Sequence, residues 1–183
     1  MVSMKRLFAA LAVLSAVTAA PALAADANAF PEKPVNFVVT FPPGGGTDLL
    51  ARLIGAELQK QWKQSVVVEN RAGASGNIGA QHVARSAADG YTLLVVNSSF
   101  AVNPGVFRKL PFDPKADFVP VINIAFVPSV VVVPADAPFA SLKDMLAAAR
   151  GGQQVAFGSC GNGTPQHLAG EMLAAQSGAK LQH

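Results

Sequence analysis

The sequence predicts an α/β fold, with a parallel sheet in a first lobe and a second, incomplete lobe after it. Three observations carry this. Short β-branched runs alternate with amphipathic stretches, the turns between them are short, and the same alternation starts again after a proline-rich interruption. With 183 residues, 51% apolar and 14% charged, the chain has enough apolar side chains for a buried core and too few charges for a disordered one.

The first stretch is a leader rather than part of the fold. Lys5 and Arg6 precede an uncharged apolar run from Leu7 to Ala20, Pro21 breaks it, and Ala22-Leu23-Ala24 has the small-x-small form that signal peptidase accepts. The run is shorter than the ~20 residues a membrane-spanning helix needs. A cleaved signal peptide over 1–24 is expected, with Ala27 to Ala29 as a second possible cut, and hence a periplasmic mature chain. No cysteine follows either site, so no direct membrane anchor is expected. Without Lys5 and Arg6 the chain carries 12 basic residues against 11 acidic ones. There is no lysine-arginine cluster and no aromatic-basic interleaving, which argues against nucleic acid. The lone Cys160 excludes an intrachain disulfide.

The mature elements follow in order. VNFVVTF (Val35–Phe41) reads as a buried strand. From Thr47 to about Trp62 a helix is expected, with Leu49, Leu50, Leu53, Ile54 and Leu58 on its buried face and Thr47 or Asp48 as cap. SVVVEN (Ser65–Asn70) is a second strand, Asn77–Ala87 a second helix and YTLLVVN (Tyr91–Asn97) a third strand. Such a strand-helix succession predicts right-handed crossovers. Asn103–Pro120, with four prolines, reads as an ordered connecting loop. Val121–Phe126 and Ser129–Pro134 are expected strands on either side of Pro128. Ser141 caps a helix to Arg150, and Gln154–Ser159 is a further strand. Thr164 caps a last helix, with Pro165 in its first turn and Gly178 at its end. The terminal KLQH is where another strand starts, so the second unit reads as unfinished. Lobe boundaries are expected at 30–119 and 120–183.

Chemistry concentrates in three glycine-rich turns that each lead from a strand into a helix: GGGTD after the first strand, NRAGASGNIG after the second and GSCGNGTP after the last. Such turns let backbone approach a ligand. The helix that follows supplies free N–H groups and a partial positive charge. In an open α/β sheet they lie at the carboxyl ends of strands, where ligands bind. A phosphate-binding loop would need a lysine after the glycines, and none is present. The dinucleotide fingerprint has the wrong spacing, and no carboxylate cluster offers metal ligands. No cofactor is expected. A small carboxylate, bound by uncharged N–H and hydroxyl donors, fits best.

The motifs FPPGGGTD, VVVENRAGASGNIGA, ADGYTLLV, NPGVFRKLPFDPKADFVPV and GSCGNGTPQHLAGEM, in this order from about Phe30 to the end, resemble the substrate-binding proteins of tripartite tricarboxylate transporters, the Bug family. The resemblance implies a two-lobed periplasmic-binding-protein clamp of the second structural type, a Venus flytrap. It also implies capture of a small di- or tricarboxylate or acidic amino acid, and delivery to a two-component membrane permease. It places the turns Phe41 to Asp48 and Ser159 to Thr164 on opposite sides of the cleft. The candidate ligand-binding residues are Phe41, Gly45, Gly46, Thr47, Asp48, Asn77, Ser98, Ser159, Gly163, Thr164 and His167. Family members run well past 300 residues by resemblance, so a truncated chain is expected. Ala72 and Ser75 stand where the family more often has proline and glycine, and Cys160 where it has serine or another small residue.

Competing readings attach to single residues. Asp48 either receives a ligand ammonium or caps its helix. Cys160 and His167 form a nucleophile-base pair in an exported thiol enzyme, or else a small turn residue and a first-turn histidine that shapes the loop. The second reading is preferred, because nothing else assembles a catalytic set. A sensory receptor for a signalling kinase is the other alternative. His82 reads as surface or packing, Trp62 and Tyr91 as packing rather than stacking platforms, and Arg108 and Lys109 as a solvated face.

Overall fold

The computed structural model describes residues 30–183. The leader and both expected cleavage points lie outside the described residues. From Lys33 to His183 the chain forms one compact unit.

Its centre is β1 (Val35–Val39), flanked by β2 (Val66–Asn70) and β3 (Thr92–Val95), all parallel, in the order β2-β1-β3. Phe37 faces Val68 on one side and Leu93 on the other. A central parallel strand is covered on both faces, which explains why β1 is an almost unbroken apolar run. Val35, Val38 and Val39 are fully buried. Helix α1 (Gly46–Trp62) packs Ala51, Ile54, Leu58 and Trp62 on this core. Gly55 lets it approach β2, since a Cβ there would lie 3.1 Å from Val66 Cγ1. The expected apolar face is corrected at two positions: Leu49 and Leu53 are 57% and 58% exposed. The 3.6-residue repeat that turns Ala51, Ile54, Gly55 and Leu58 inward carries these two outward.

A 3₁₀ turn (Ala74–Gly76) leads into α2 (Asn77–Ala84). The expected loop from Asn103 begins inside a helix the sequence reading missed, α3 (Ser99–Val106), which contains Pro104 near its end. Asn97 Oδ1 accepts the Ser99 N–H (3.0 Å), and Ser99 and Asn103, one turn apart, are buried on its inner side. The rest of that loop is ordered as expected. Phe112 and Phe118 pack on Phe100 at 6.0 and 5.1 Å between ring centroids, and Asp113 Oδ1 accepts the Lys115 and Ala116 N–H groups.

The strands expected at Val121–Phe126 and Ser129–Pro134 do not form. Among the described residues this segment has no ladder partner, and its side chains are exposed, Phe126 at 94%. β-propensity makes a strand only where a neighbouring strand takes up its backbone groups.

Helix α4 (Leu142–Arg150) is capped by Ser141, whose Oγ accepts the Asp144 N–H. β4 (Val155–Ala156) pairs in parallel with β5 (Leu181–Gln182), the strand start read in KLQH. Between them α5 (Pro165–Ser177) has Thr164 as N-cap, Pro165 at its first position and Gly178 in the left-handed conformation at its end, as the sequence predicts.

Candidate functional site

The carboxyl ends of β1 and β3 open into a cleft of about 1000 Å³. One wall is the turn Phe41–Thr47 with Leu50. A second is Leu94–Ser98. Ile122–Val130 forms a third, and Cys160, Pro165 and Gln166 close it from the last helix. Among the described residues no Asp, Glu, Lys, Arg or His lines it; its polar groups are Thr47, Asn97, Ser98, Asn123, Ser129 and Gln166. Electrostatic preference therefore comes from backbone. The ladder of α1 begins with Leu49 N–H to Gly45 O (2.9 Å), so the Gly46 and Thr47 N–H groups precede it at the positive end of the helix.

The turn is shaped from beneath. The Asp48 carboxylate is buried under it and accepts the Gly44 N–H (2.9 Å), Arg52 Nε (3.0 Å) and Asn70 Nδ2 (2.9 Å). Asn70 Nδ2 also donates to Phe41 O (3.0 Å), and Arg52 donates to Asn70 Oδ1 (2.9 Å). The Arg52 guanidinium above all, then the Gly44 N–H and the Asn70 amide, hold the Asp48 carboxyl well below the usual carboxylate range. Asp48 thus stabilises the turn from behind. The helix N-cap is Gly45, without a side-chain cap bond, and not Thr47 or Asp48 as expected. Of the three glycines only Gly44 sits at positive φ (86°). Gly45 and Gly46 have ordinary φ, and a Cβ on Gly46 would meet nothing within 4 Å.

Among the candidate residues, Phe41, Gly45, Gly46, Thr47 and Ser98 line the cleft. Asp48, Asn77, Ser159, Gly163, Thr164 and His167 do not. Asn77 is buried behind it and accepts the Asn103 amide (2.7 Å). Thr164 is wholly buried, donating to Gly161 O (2.7 Å) and accepting the His167 N–H. Gly163 N–H donates to His167 Nδ1 (3.2 Å), and Ser159 Oγ accepts the Gly161 N–H (3.1 Å). These residues build the second turn from within. Sequence reasoning missed Asn97, Asn123, Ser129 and Gln166. Asn97 could have been found from its place at the carboxyl end of the third strand, as Ser98 was.

The sequence matches the tripartite tricarboxylate transporter family receptor over residues 50–183. The chain belongs to this family. It is 40% identical to Protein BugT of Bordetella pertussis over 183 residues, covering 98% of this chain and 56% of that one. Among solved structures it resembles R. palustris Rpa4515 with adipate, with a TM-score of 0.80 and 39% identity, over 84% of this chain and 52% of the other. It also resembles MatC (Rpa3494) from Rhodopseudomonas palustris with bound malate, with a TM-score of 0.69 and 30% identity, over 84% and 53%. The resemblance seen in the motifs is borne out, and so is the α/β binding-protein fold. The receptors of this family are periplasmic and are not enzymes. The chain spans about half the length of the relatives it matches.

Proposed function

We propose that the cleft is half of a solute receptor's binding site and captures a small organic acid without reacting with it. One carboxylate sits at the start of α1, against the Gly46 and Thr47 N–H groups, directly or through water, with Ser98 and Asn97 beside it. The observation that carries this reading is an uncharged cleft, of ligand size, with a helix N-terminus opening into it. The adipate- and malate-bound relatives support the ligand class. The two sheets belong to two lobes divided near residue 120. The leader over 1–24 exports the chain, and the loaded receptor delivers its ligand to a two-component membrane permease.

The geometry disfavours thiol chemistry. His167 Nδ1 already accepts the Gly163 N–H, its Nε2 faces Glu171 at 3.8 Å, and no hydrogen bond joins it to Cys160 among the described residues. Calorimetric titration with adipate and malate tests the proposal, with Gly45→Val as its probe. Gly45 has an ordinary φ of −77°, so valine adds bulk to the cleft without a left-handed strain. Losing a hydrogen bond to a charged group costs roughly 1.5–3 kcal/mol, about ten- to a hundredfold in affinity. Unchanged affinity in a folded Gly45→Val protein would place the carboxylate elsewhere.

A further inference from the structure

We infer that Ser75 is a latch behind one wall of the cleft: a positioning residue that holds the loop of Cys160 against the 74–76 turn and helix α3 beside the first sheet. The observation is a run of four residues at positive φ, Gly73 (125°), Ala74 (48°), Ser75 (53°) and Gly76 (92°). Glycine adopts this conformation readily, whereas Ala74 and Ser75 hold it against their own steric preference. Such strain persists only where surrounding contacts fix it.

Those contacts run to both sides. The Ser75 carbonyl accepts the Asn103 amide of α3 (3.0 Å). The Ser75 hydroxyl donates to the carbonyl of Asn162, on the loop that enters α5. That loop lies close. A Cβ on Gly161 would be 3.7 Å from Ser75 Oγ, and one on Gly163 would be 3.2 Å from Val106 and 3.4 Å from Asn103 Oδ1. Gly161 and Gly163 are themselves at positive φ, which glycine adopts without strain. Its neighbours Cys160, Pro165 and Gln166 form one wall of the cleft. Ser75 does not line the cleft, yet its hydroxyl is the only hydrogen bond recorded between the 74–76 turn and this loop among the described residues.

The consequence is that closure is biased by the protein itself. A wall held near its partner before ligand arrives lowers the reorganisation that binding must drive, and slows release. This affinity effect rests on the proposed carboxylate site; the mechanical effect does not. Ser75→Ala removes the hydroxyl and keeps a left-handed non-glycine residue. Ser75→Gly removes the hydroxyl and relieves the strain, so it folds at least as readily at the turn. In the full chain without ligand, both variants should speed hydrogen exchange of the Gly163 and Thr164 amides about three- to tenfold, as expected for one lost neutral hydrogen bond, with the amides of β1 unchanged. Titration with adipate and malate should show weaker binding and faster release in both. Faster exchange at the loop with no binding to the unmodified chain would uphold the latch and sink the carboxylate reading. Unchanged exchange at Gly163 and Thr164, or equal acceleration throughout the chain, would overturn the latch.

Discussion

Two turns in this protein look alike in sequence and differ in what they leave available. Pro43–Asp48 and Gly158–Thr164 are both rich in glycine, both follow a strand and both open a helix. In the first, the polar groups that hold the turn come from behind it, from Asp48, Arg52 and Asn70, while Gly45, Gly46 and Thr47 line the cleft. In the second, the turn consumes its own donors. Thr164 takes the His167 N–H, Ser159 takes the Gly161 N–H, and His167 takes the Gly163 N–H. Pro165 at the first helical position has no N–H to offer. The first turn is therefore braced by side chains behind it, and the second by hydrogen bonds within itself.

This contrast breaks most visibly if bulk is placed in each turn. Gly163→Val puts a β-branched residue at φ 80° and drives it into Val106 and Asn103. Strain and overpacking of about 1–3 kcal/mol each are expected, against almost none for Gly45→Val. Urea denaturation of the two variants side by side measures this; equal loss would erase the distinction. Next is Asn70→Ala, which removes the bonds to Phe41 O and to the Asp48 carboxylate and should cost about 1.5–3 kcal/mol. It should weaken carboxylate binding along with stability, because it loosens the donor-presenting turn. Thr164→Ala should cost about 1 kcal/mol as a lost N-cap and leave binding less affected than Gly45→Val does. Differential scanning calorimetry with a parallel titration separates the two effects.

The smallest expected effect is the first turn's share of the pH dependence, to which Asp89 and Asp113, also held below the usual carboxylate range, add their own parts. Asp48 in the folded protein has a carboxyl pKa below its unfolded value near 3.9. The stability it contributes is full above that value and is lost as pH falls below about 4 toward the lowered folded pKa. Asp48→Asn should flatten this part of the stability curve between pH 5 and pH 2 while lowering stability at neutral pH. A Gln variant of Glu171 beside the second turn serves as the control, and an equal flattening there would contradict the assignment to Asp48.

The latch at Ser75 was half visible in the sequence. Serine where the family more often has glycine is legible as a departure, but its meaning needs Asn162, far along the chain, to be seen beside it. The same holds for Asp48. Two readings stood equal in the sequence, and the positions of Arg52, Gly44 and Asn70 give the carboxylate a third role, bracing the turn from behind. Thr164 was legible as the cap of the last helix and His167 as a first-turn histidine, but both were also candidates for the ligand, and what could not be read was that their polar groups bond within the turn.

The sequence by itself determined the helices with their caps at Ser141, Thr164 and Gly178, the buried strand around Phe37, and the order of the glycine-rich turns. These depend on hydrogen bonds between residues three or four apart, or on an apolar pattern that any covering layer would bury. Tertiary structure alone decided that Val121–Phe126 and Ser129–Pro134 are not strands, that Leu49 and Leu53 face outward, that Gly44 rather than Gly45 needs to be glycine, and which turn bonds its own N–H groups. The first of these is settled by a partner distant in sequence, the others by how each helix and turn seats against its neighbours. A strand requires another strand to accept its backbone groups, and a polar side chain serves a ligand only if no neighbour has already taken its bonds.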